Sequence, residues 1–329
     1  KDSAGAEGQF RQGLARYRKV KSIQGEAYCL MRLGDLARVK GDSAQAEALY
    51  RQSLALYERG GAFPEKAECI RRLAELASEK KNRAEAERLS DRAIELLDGS
   101  ATGKKSADAL YGIAQAAQGS GSYDRAEKLY RESAARYRKA KSAFGEANCI
   151  YRIGEIRLIG KKYGEAAARF KAAINLYRRA GSLIGEANCL YRLGEINLSG
   201  KKYGDAEARF GAAIDLYRKA NSLIGQANCL YRIGEIKFSV KKYGEAGERF
   251  AAALDLYRKA PSALGEANTI YMQGEILFRK PAHDEAGKLY ALALELYRQA
   301  GSLLGEANCV YSLGDVDYYS KRFPEARDG

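Results

Sequence analysis

The sequence has one histidine, no tryptophan and no apolar run of the roughly 20 residues that a bilayer-spanning helix requires. It also lacks the apolar segment of a secretory signal, so neither membrane insertion nor secretion is indicated. His283 would have to carry any histidine-based triad alone, and its context, residues 281–284, is typical of a helix start. The carboxylates recur too regularly to single out a catalytic pair. We therefore expect no catalytic residue, no cofactor and no enzyme activity in this sequence.

Cysteine is present, but not in the spacing of a metal site, because no Cys-x-x-Cys pair occurs. The six cysteines share one position of a forty-residue period: Cys29, Cys69, Cys149, Cys189, Cys229 and Cys309. Packed helices lie roughly 10 Å apart, whereas a disulfide needs Cα atoms within about 7 Å. Ala109 and Thr269 take this position in the other copies, which indicates a small buried slot. The sequence therefore predicts reduced packing residues and, with them, a cytoplasmic protein.

The forty-residue period runs through the whole chain. The phrase of residues 185–196 recurs around these positions: Gly145, Gly225, Gly265 and Gly305, with weaker copies at Gly25, Glu65 and Lys105. Units of this kind bury their apolar faces only against their neighbours. The sequence predicts an all-α fold, a single right-handed α-solenoid of about eight helix-turn-helix repeats over residues 1–329. The first helix of each repeat, here called helix A, is expected to begin near residues 22, 62, 102, 142, 182, 222, 262 and 302.

One repeat, residues 182–220, shows how the period is built. Ser182 is a typical helix cap, and helix A is expected to end near Ser199. The second helix, helix B, is expected to begin near Tyr203. A mid-helix glycine costs up to about 1 kcal/mol, so Gly194 and its recurrences predict close contact with the partner helix. The segment 61–122 has the most degenerate repeats, which predicts locally altered curvature or mobility. Because the sequence opens and closes inside repeats, we expect a fragment of a longer protein.

The small-and-large pattern of these repeats resembles that of tetratricopeptide repeats. Within residues 182–220, the resemblance is carried by these positions: Leu193, Gly194, Tyr203, Ala206, Phe210 and Ala213. The forty-residue form is similar to spindle-orientation adaptors of the Pins/LGN type and to sensor arrays attached to signal-transduction NTPases of bacteria and fungi. The resemblance implies a superhelix in which helix A lines the concave face.

Polar and aromatic residues form ladders on one side of helix A, since their spacing places them together at 100° per residue. The ladder residues are these: Asn148, Asn188, Asn228, Asn268 and Asn308; Tyr151, Tyr191, Tyr231, Tyr271 and Tyr311; Arg152, Arg192 and Arg232; and Glu155, Glu195, Glu235 and Glu275. Asparagine amides donate to and accept from peptide groups, tyrosine gives contact area, and arginine binds carboxylates. Alternatively, the Arg and Glu ladders pair with each other within or between repeats.

The leading interpretation is a non-catalytic adaptor or scaffold that binds a peptide or helix of a protein partner in a concave groove. The alternative is a ligand-sensing array of a larger signalling NTPase. End-to-end self-association is a further expectation, since no polar cap helix covers either end.

The net charge of +14 raises the possibility of an anionic partner. Lysine pairs mark successive turns between helices A and B and form a possible anion-binding edge: Lys161, Lys162, Lys201, Lys202, Lys241 and Lys242. Nucleic-acid binding along this edge is a weaker hypothesis, because the ladders vary too little to encode a base sequence. Residues 99–106 resemble a phosphate-binding loop, but their glycine spacing is one residue short and they join two predicted helices.

Overall fold

Sixteen α-helices and no strand make up the described residues, 3–60, 63–98 and 103–322, of this computed structural model. The helices have these bounds: α1 Ser3–Lys19, α2 Ile23–Val39, α3 Ser43–Gly60, α4 Phe63–Glu79, α5 Arg83–Asp98, α6 Lys104–Gly119, α7 Tyr123–Lys139, α8 Ala143–Ile159, α9 Tyr163–Arg179, α10 Leu183–Ser199, α11 Tyr203–Lys219, α12 Leu223–Ser239, α13 Tyr243–Lys259, α14 Ala263–Arg279, α15 His283–Ala300 and α16 Leu303–Arg322. In the part of the chain that the structure describes, none of these helices is long and apolar enough to cross a membrane.

The helices divide between two compact units, Lys1–Ala180 and Gly181–Gly329. Within each unit, every even-numbered helix is a helix A, and each helix A from α2 to α14 packs along the helix B that follows it. Eight helices A begin within two residues of the predicted starts. The all-α fold of forty-residue helix-turn-helix repeats is confirmed.

A serine cap opens helix A in most of the repeats. In the second unit, Ser182 Oγ accepts a hydrogen bond from the Gly185 amide at 3.2 Å, and Ser222 binds Gly225 at 3.3 Å in the same way. These bonds satisfy an amide that has no partner within the helix. The serine that recurs at this position therefore sets the register of the first helices.

The core of each regular repeat is a ring packed into a glycine notch. A Cβ atom on Gly194 would lie 2.7 Å from Cε1 of Phe210, and one on Gly234 would lie 2.6 Å from Cε1 of Phe250. Both rings are fully buried. Glycine is needed here because only a bare backbone lets helix B approach this closely, which confirms the close contact predicted from the recurring mid-helix glycine.

The first unit departs from regular packing at α6. Of the two helices before it, α6 packs more against α4 than against α5, whereas α8 packs more against α7, the helix B directly before it, than against α6. Ser90 of α5 stands where the other repeats have a large aromatic ring, and Ala74 and Ala114 stand where the remaining repeats have the notch glycine. The departure lies inside the segment 61–122, where the sequence predicts altered geometry. Leu97, which replaces a recurring tyrosine, has a side chain outside the described residues.

The six cysteines are free and buried, which confirms the prediction of reduced packing residues. Burial raises the pKa of both the Cys149 and the Cys229 thiol to about 12. Only a thiolate reacts readily with a disulfide reagent.

We expect Cys149 and Cys229 in the folded chain to react with such a reagent at pH 8 at least about 100-fold more slowly than in the chain unfolded by guanidinium. The measurement is quenched labelling followed by mass spectrometry of the cysteine peptides. Similar native and unfolded rates at these two thiols would contradict the buried packing role.

Candidate functional site

Four of the five ladder asparagines are held by the tyrosine near the end of helix B of their own repeat. In the second unit, the hydroxyls of Tyr217, Tyr257 and Tyr297 donate to the side-chain oxygens of their asparagines. The bonds measure 2.5 Å to Asn188, 2.6 Å to Asn228 and 2.6 Å to Asn268. In the first unit, Tyr177 binds Asn148 at 2.7 Å. An asparagine whose Oδ1 is occupied keeps two N–H donors on Nδ2. These tyrosines were not among the predicted site residues.

The three tyrosines of the second unit also pack against the repeat that follows each of them. A Cβ atom on Gly225 would lie 2.4 Å from Cδ1 of Tyr217, and Gly265 meets Tyr257 at the same distance. The ring therefore lies flat against the first turn of the following helix A. One side chain both joins two repeats and orients an asparagine.

The ladder tyrosines lie partly on the core. Tyr191 packs against Phe210 with ring centroids 5.4 Å apart, and Tyr231 packs against Phe250 at 5.5 Å. Burial raises the pKa of Tyr191 to about 12. Tyr311 of α16 is 72% exposed. The inner ladder tyrosines therefore present one ring face or edge rather than the whole side chain.

The Arg and Glu ladders pair with each other. Arg232 donates to Glu195 of the preceding repeat at 3.0 Å and to Glu235 of its own repeat at 2.8 Å. Its Nε donates to the Tyr191 hydroxyl at 3.0 Å. In the first unit, Arg152 makes the equivalent bond to Glu155 at 2.8 Å. The intramolecular pairing that the sequence left open is thus present, and charge on this face is largely compensated locally.

An exposed apolar row borders the asparagines. In the second unit it consists of Ile184, Ile224 and Leu264, which are 48%, 48% and 47% exposed; Phe144 holds the equivalent position in the first unit and is 51% exposed. Each lies four residues before a ladder asparagine and so on the same side of helix A. The sequence analysis missed these residues because it assigned apolar positions to the core; their spacing from the asparagines was the available signal. We call the three residues of the second unit the apolar row. The side of helix A that carries these positions and the ladders is called the ladder face of each unit.

The first repeats have charge where the later ones have amides. Glu68 takes the ladder position of Asn148. Arg72 donates to Asp35 at 2.6 Å and also binds Glu68, while Arg38 donates to Glu75 at 2.6 Å. Burial alone would raise the pKa of Asp35, but the hydrogen bonds and charge of Arg72 hold it below its ordinary value. In the first two repeats, ion pairs therefore join the neighbouring helices A, α2 and α4.

The lysines of the proposed anion-binding edge lie on the surface, and three of them have a left-handed backbone conformation. All six lysines named above are exposed. Lys161, Lys201 and Lys241 adopt left-handed φ values of 55°, 55° and 60°. Lys242 pairs with Glu245 at 2.8 Å. Anion binding along this edge stays a prediction.

Two further sequence features, His283 and the loop that resembles a phosphate-binding loop, are not ladder residues. His283 stacks on Tyr319 with centroids 5.8 Å apart and packs against Phe278 at 5.0 Å, as part of an aromatic cluster. Residues 99–102 of the loop that resembles a phosphate-binding loop lie outside the described residues, while Gly103 caps α6 with φ 116°.

Comparison with known families agrees with the repeat geometry. Family models described as tetratricopeptide repeat match residues 106–140 and 146–219. These residues form tetratricopeptide repeats, and the same forty-residue helix pair recurs through the other described residues. No curated protein matches the sequence.

Solved structures share the fold of this tetratricopeptide-repeat array at low sequence identity. A signal-transduction ATPase with numerous domains and a tetratricopeptide-repeat sensor, from Pyrococcus horikoshii, is 13% identical with a TM-score of 0.67; the match covers 98% of this chain and 50% of that one. The apo quorum sensor NprR from B. thuringiensis is 16% identical with a TM-score of 0.59, covering 95% and 84%. A Rap protein complexed with Competence and Sporulation Factor is 13% identical with a TM-score of 0.54, covering 92% and 88%.

Proposed function

We propose that this tetratricopeptide-repeat array is a non-catalytic, cytoplasmic interaction scaffold that binds a peptide or helix of a partner protein on its ladder face. The observation that carries the proposal is the tyrosine-held asparagine, which recurs as Asn188, Asn228 and Asn268 in the second unit. The complex of a Rap protein with Competence and Sporulation Factor is consistent with it, since that protein has a related fold and a bound factor.

The asparagines suit recognition because their geometry is set before a ligand arrives. The hydroxyl donor fixes which end of the amide is the oxygen, so Nδ2 is left to donate. A donor that is already oriented loses less entropy on binding than a free side chain. Repeating it once per repeat gives several hydrogen bonds to one ligand backbone.

The test begins with an unbiased displayed library of 16-residue peptides selected on the immobilised 329-residue chain. Affinities of selected peptides are then measured by fluorescence anisotropy. We expect a combined Asn188→Ala, Asn228→Ala and Asn268→Ala variant to bind at least roughly tenfold more weakly, because each lost hydrogen bond contributes about 0.5–1.5 kcal/mol. Changing the paired tyrosines Tyr217 and Tyr257 to Phe should weaken binding less.

Asn175→Ala is the matched control, since Asn175 is exposed on helix α9, a helix B. It should leave affinity unchanged, and circular dichroism should show equal helix content in all variants. If no selected peptide loses affinity in the triple asparagine variant, the ladder face is not the binding site.

A sensor array of a signalling NTPase is the second candidate. It is favoured by the likeness to the Pyrococcus horikoshii ATPase, whose own description names a tetratricopeptide-repeat sensor. The coding sequence on both sides of this chain decides between the two. A nucleotide-binding domain there, with hydrolysis that responds to a selected peptide, would favour the sensor over a simple scaffold.

A further inference from the structure

The apolar row gives the ladder face a second kind of contact beside the amides. Ile184, Ile224 and Leu264 are almost equally exposed, at 48%, 48% and 47%. Apolar side chains that stay half exposed at one position of successive repeats form a continuous stripe rather than scattered surface residues. In the first unit, Phe144 packs edge-on against Tyr177, whose hydroxyl holds Asn148. The stripe and the amides are therefore neighbours along the same helices.

A ligand that meets one apolar residue and one amide in every repeat must share the spacing of the repeats. Neighbouring first helices are in direct contact, because Arg232 of α12 reaches Glu195 and Tyr191 of α10. Helices in contact lie about 8–10 Å apart. That distance equals about three residues of an extended chain or about seven residues of an α-helix.

The amides favour the extended ligand. The carbonyl groups inside an α-helix are already bonded within it, so the Nδ2 donors of Asn188 and Asn228 would find no free backbone acceptor. A β-strand has open carbonyls, but every third side chain would alternate between its two faces. A polyproline-II segment has unpaired carbonyls, three residues per turn and a rise of about 3.1 Å, so its every third side chain points the same way about every 9.3 Å.

Charge distinguishes one end of this face. Arg192 and Arg232 lie beside the acidic ladder in α10 and α12, but Met272 and Ser312 replace arginine in the next two first helices. Glu275 keeps its place there and accepts from the Tyr290 hydroxyl at 2.7 Å, while Arg279 lies 3.7 Å away. Asp315 of α16 continues the acidic row. Negative charge is therefore less compensated towards α16.

We propose that the ladder face of the second unit binds an extended, polyproline-II-like segment of a partner protein. The segment carries an apolar side chain at every third residue, seated on the apolar row, and a basic side chain over Glu275 and Asp315. This inference rests on the proposed function and specifies its ligand.

The test uses three displayed libraries in which leucine is fixed at every second, every third or every seventh position and all other positions are random. They compete for the 329-residue chain, and the bound peptides are sequenced. We expect peptides with leucine at every third position to be enriched roughly tenfold or more over the other two sets, since only they align with the row in each repeat. The enriched peptides should carry Lys or Arg near one end.

Variants of the chain then locate the contact. A combined Ile184→Ser, Ile224→Ser and Leu264→Ser variant should bind the enriched peptides roughly tenfold or more weakly. Glu275→Gln with Asp315→Asn should weaken peptides with a basic end but not their uncharged analogues. Leu292→Ser is the matched control, because Leu292 is 46% exposed on helix α15, a helix B, and should not affect binding.

The outcomes separate the two proposals. Enrichment of the second or seventh spacing, or unchanged affinity in the triple serine variant, overturns the ligand inference. If those peptides still lose affinity in the triple asparagine variant, the proposed function survives without it. Peptides that bind the chain equally well with and without the ladder asparagines overturn both.

Discussion

Replacing Gly234 by alanine should destabilise the chain by about 1–3 kcal/mol, the usual range for overpacking a core. The added Cβ would lie 2.6 Å from Cε1 and 2.8 Å from Cδ1 of Phe250. That ring cannot retreat freely, because Tyr231 packs on it at 5.5 Å. Chemical denaturation followed by circular dichroism measures the effect as a lower midpoint.

Gly211→Ala is the matched control for this change. Gly211 is also in mid-helix, but nothing lies within 4 Å of the position its Cβ would take. Because alanine favours a helix over glycine, this variant should gain about 0.5–1 kcal/mol. Equal effects of the two substitutions would show that the ring contact at Gly234 does not constrain the repeat.

Replacing Arg72 by methionine should cost about 3 kcal/mol, at the low end for breaking a buried ion pair. The side chain of Arg72 is 10% exposed and binds Asp35 and Glu68 on two first helices. Methionine keeps the apolar bulk but leaves both carboxylates with fewer partners. Asp35 retains bonds from Arg32 and Tyr50, which limits the loss. The denaturant midpoints of the parent chain and of the Arg72→Met variant measure this loss of stability.

Acid should shrink this difference. The folded pKa of Asp35 is held below its ordinary value, so its contribution is complete above an unfolded pKa of about 3.9 and is lost as pH falls through the folded value. The gap between Arg72→Met and the parent chain should therefore narrow below about pH 4. Arg51→Met is the control, since Arg51 is 57% exposed in its pair with Glu47 and should cost under about 1 kcal/mol. If the stability difference between the parent chain and Arg72→Met grew as the pH fell, the stabilising role assigned to the Asp35 carboxylate would be wrong.

The forty-residue period of the sequence, together with its capping serines and recurring glycines, predicted most of the fold. The serine caps and the recurring notch glycine placed α10 within one residue of its observed start and end, Leu183 and Ser199. These features act through neighbours along the chain or one helix away, so a single sequence reveals them. The cysteines followed from the same period, because a position filled by Cys, Ala or Thr describes a slot of fixed size.

The candidate site was less accessible from the sequence. The asparagines were identified from helix periodicity, but their bonds to tyrosines 29 positions later depend on how two helices cross. The apolar row was missed because an apolar residue in the first turn of a helix looks the same in sequence whether it is covered or not. The pairing of Arg232 with Glu195 remained one of two alternatives until side-chain positions separated them.

The two contacts of Tyr217 have a consequence for how repeats are added to such an array. Its ring closes the junction with the next repeat, and its hydroxyl holds Asn188. An in-frame duplication of forty codons would copy the junction between repeats and the tyrosine–asparagine bond together. For the proposed polyproline-II-like ligand, each duplication would add binding positions for about three more residues without requiring a newly evolved contact. Length could then be the variable on which selection acts, with partner choice following from the number of copies.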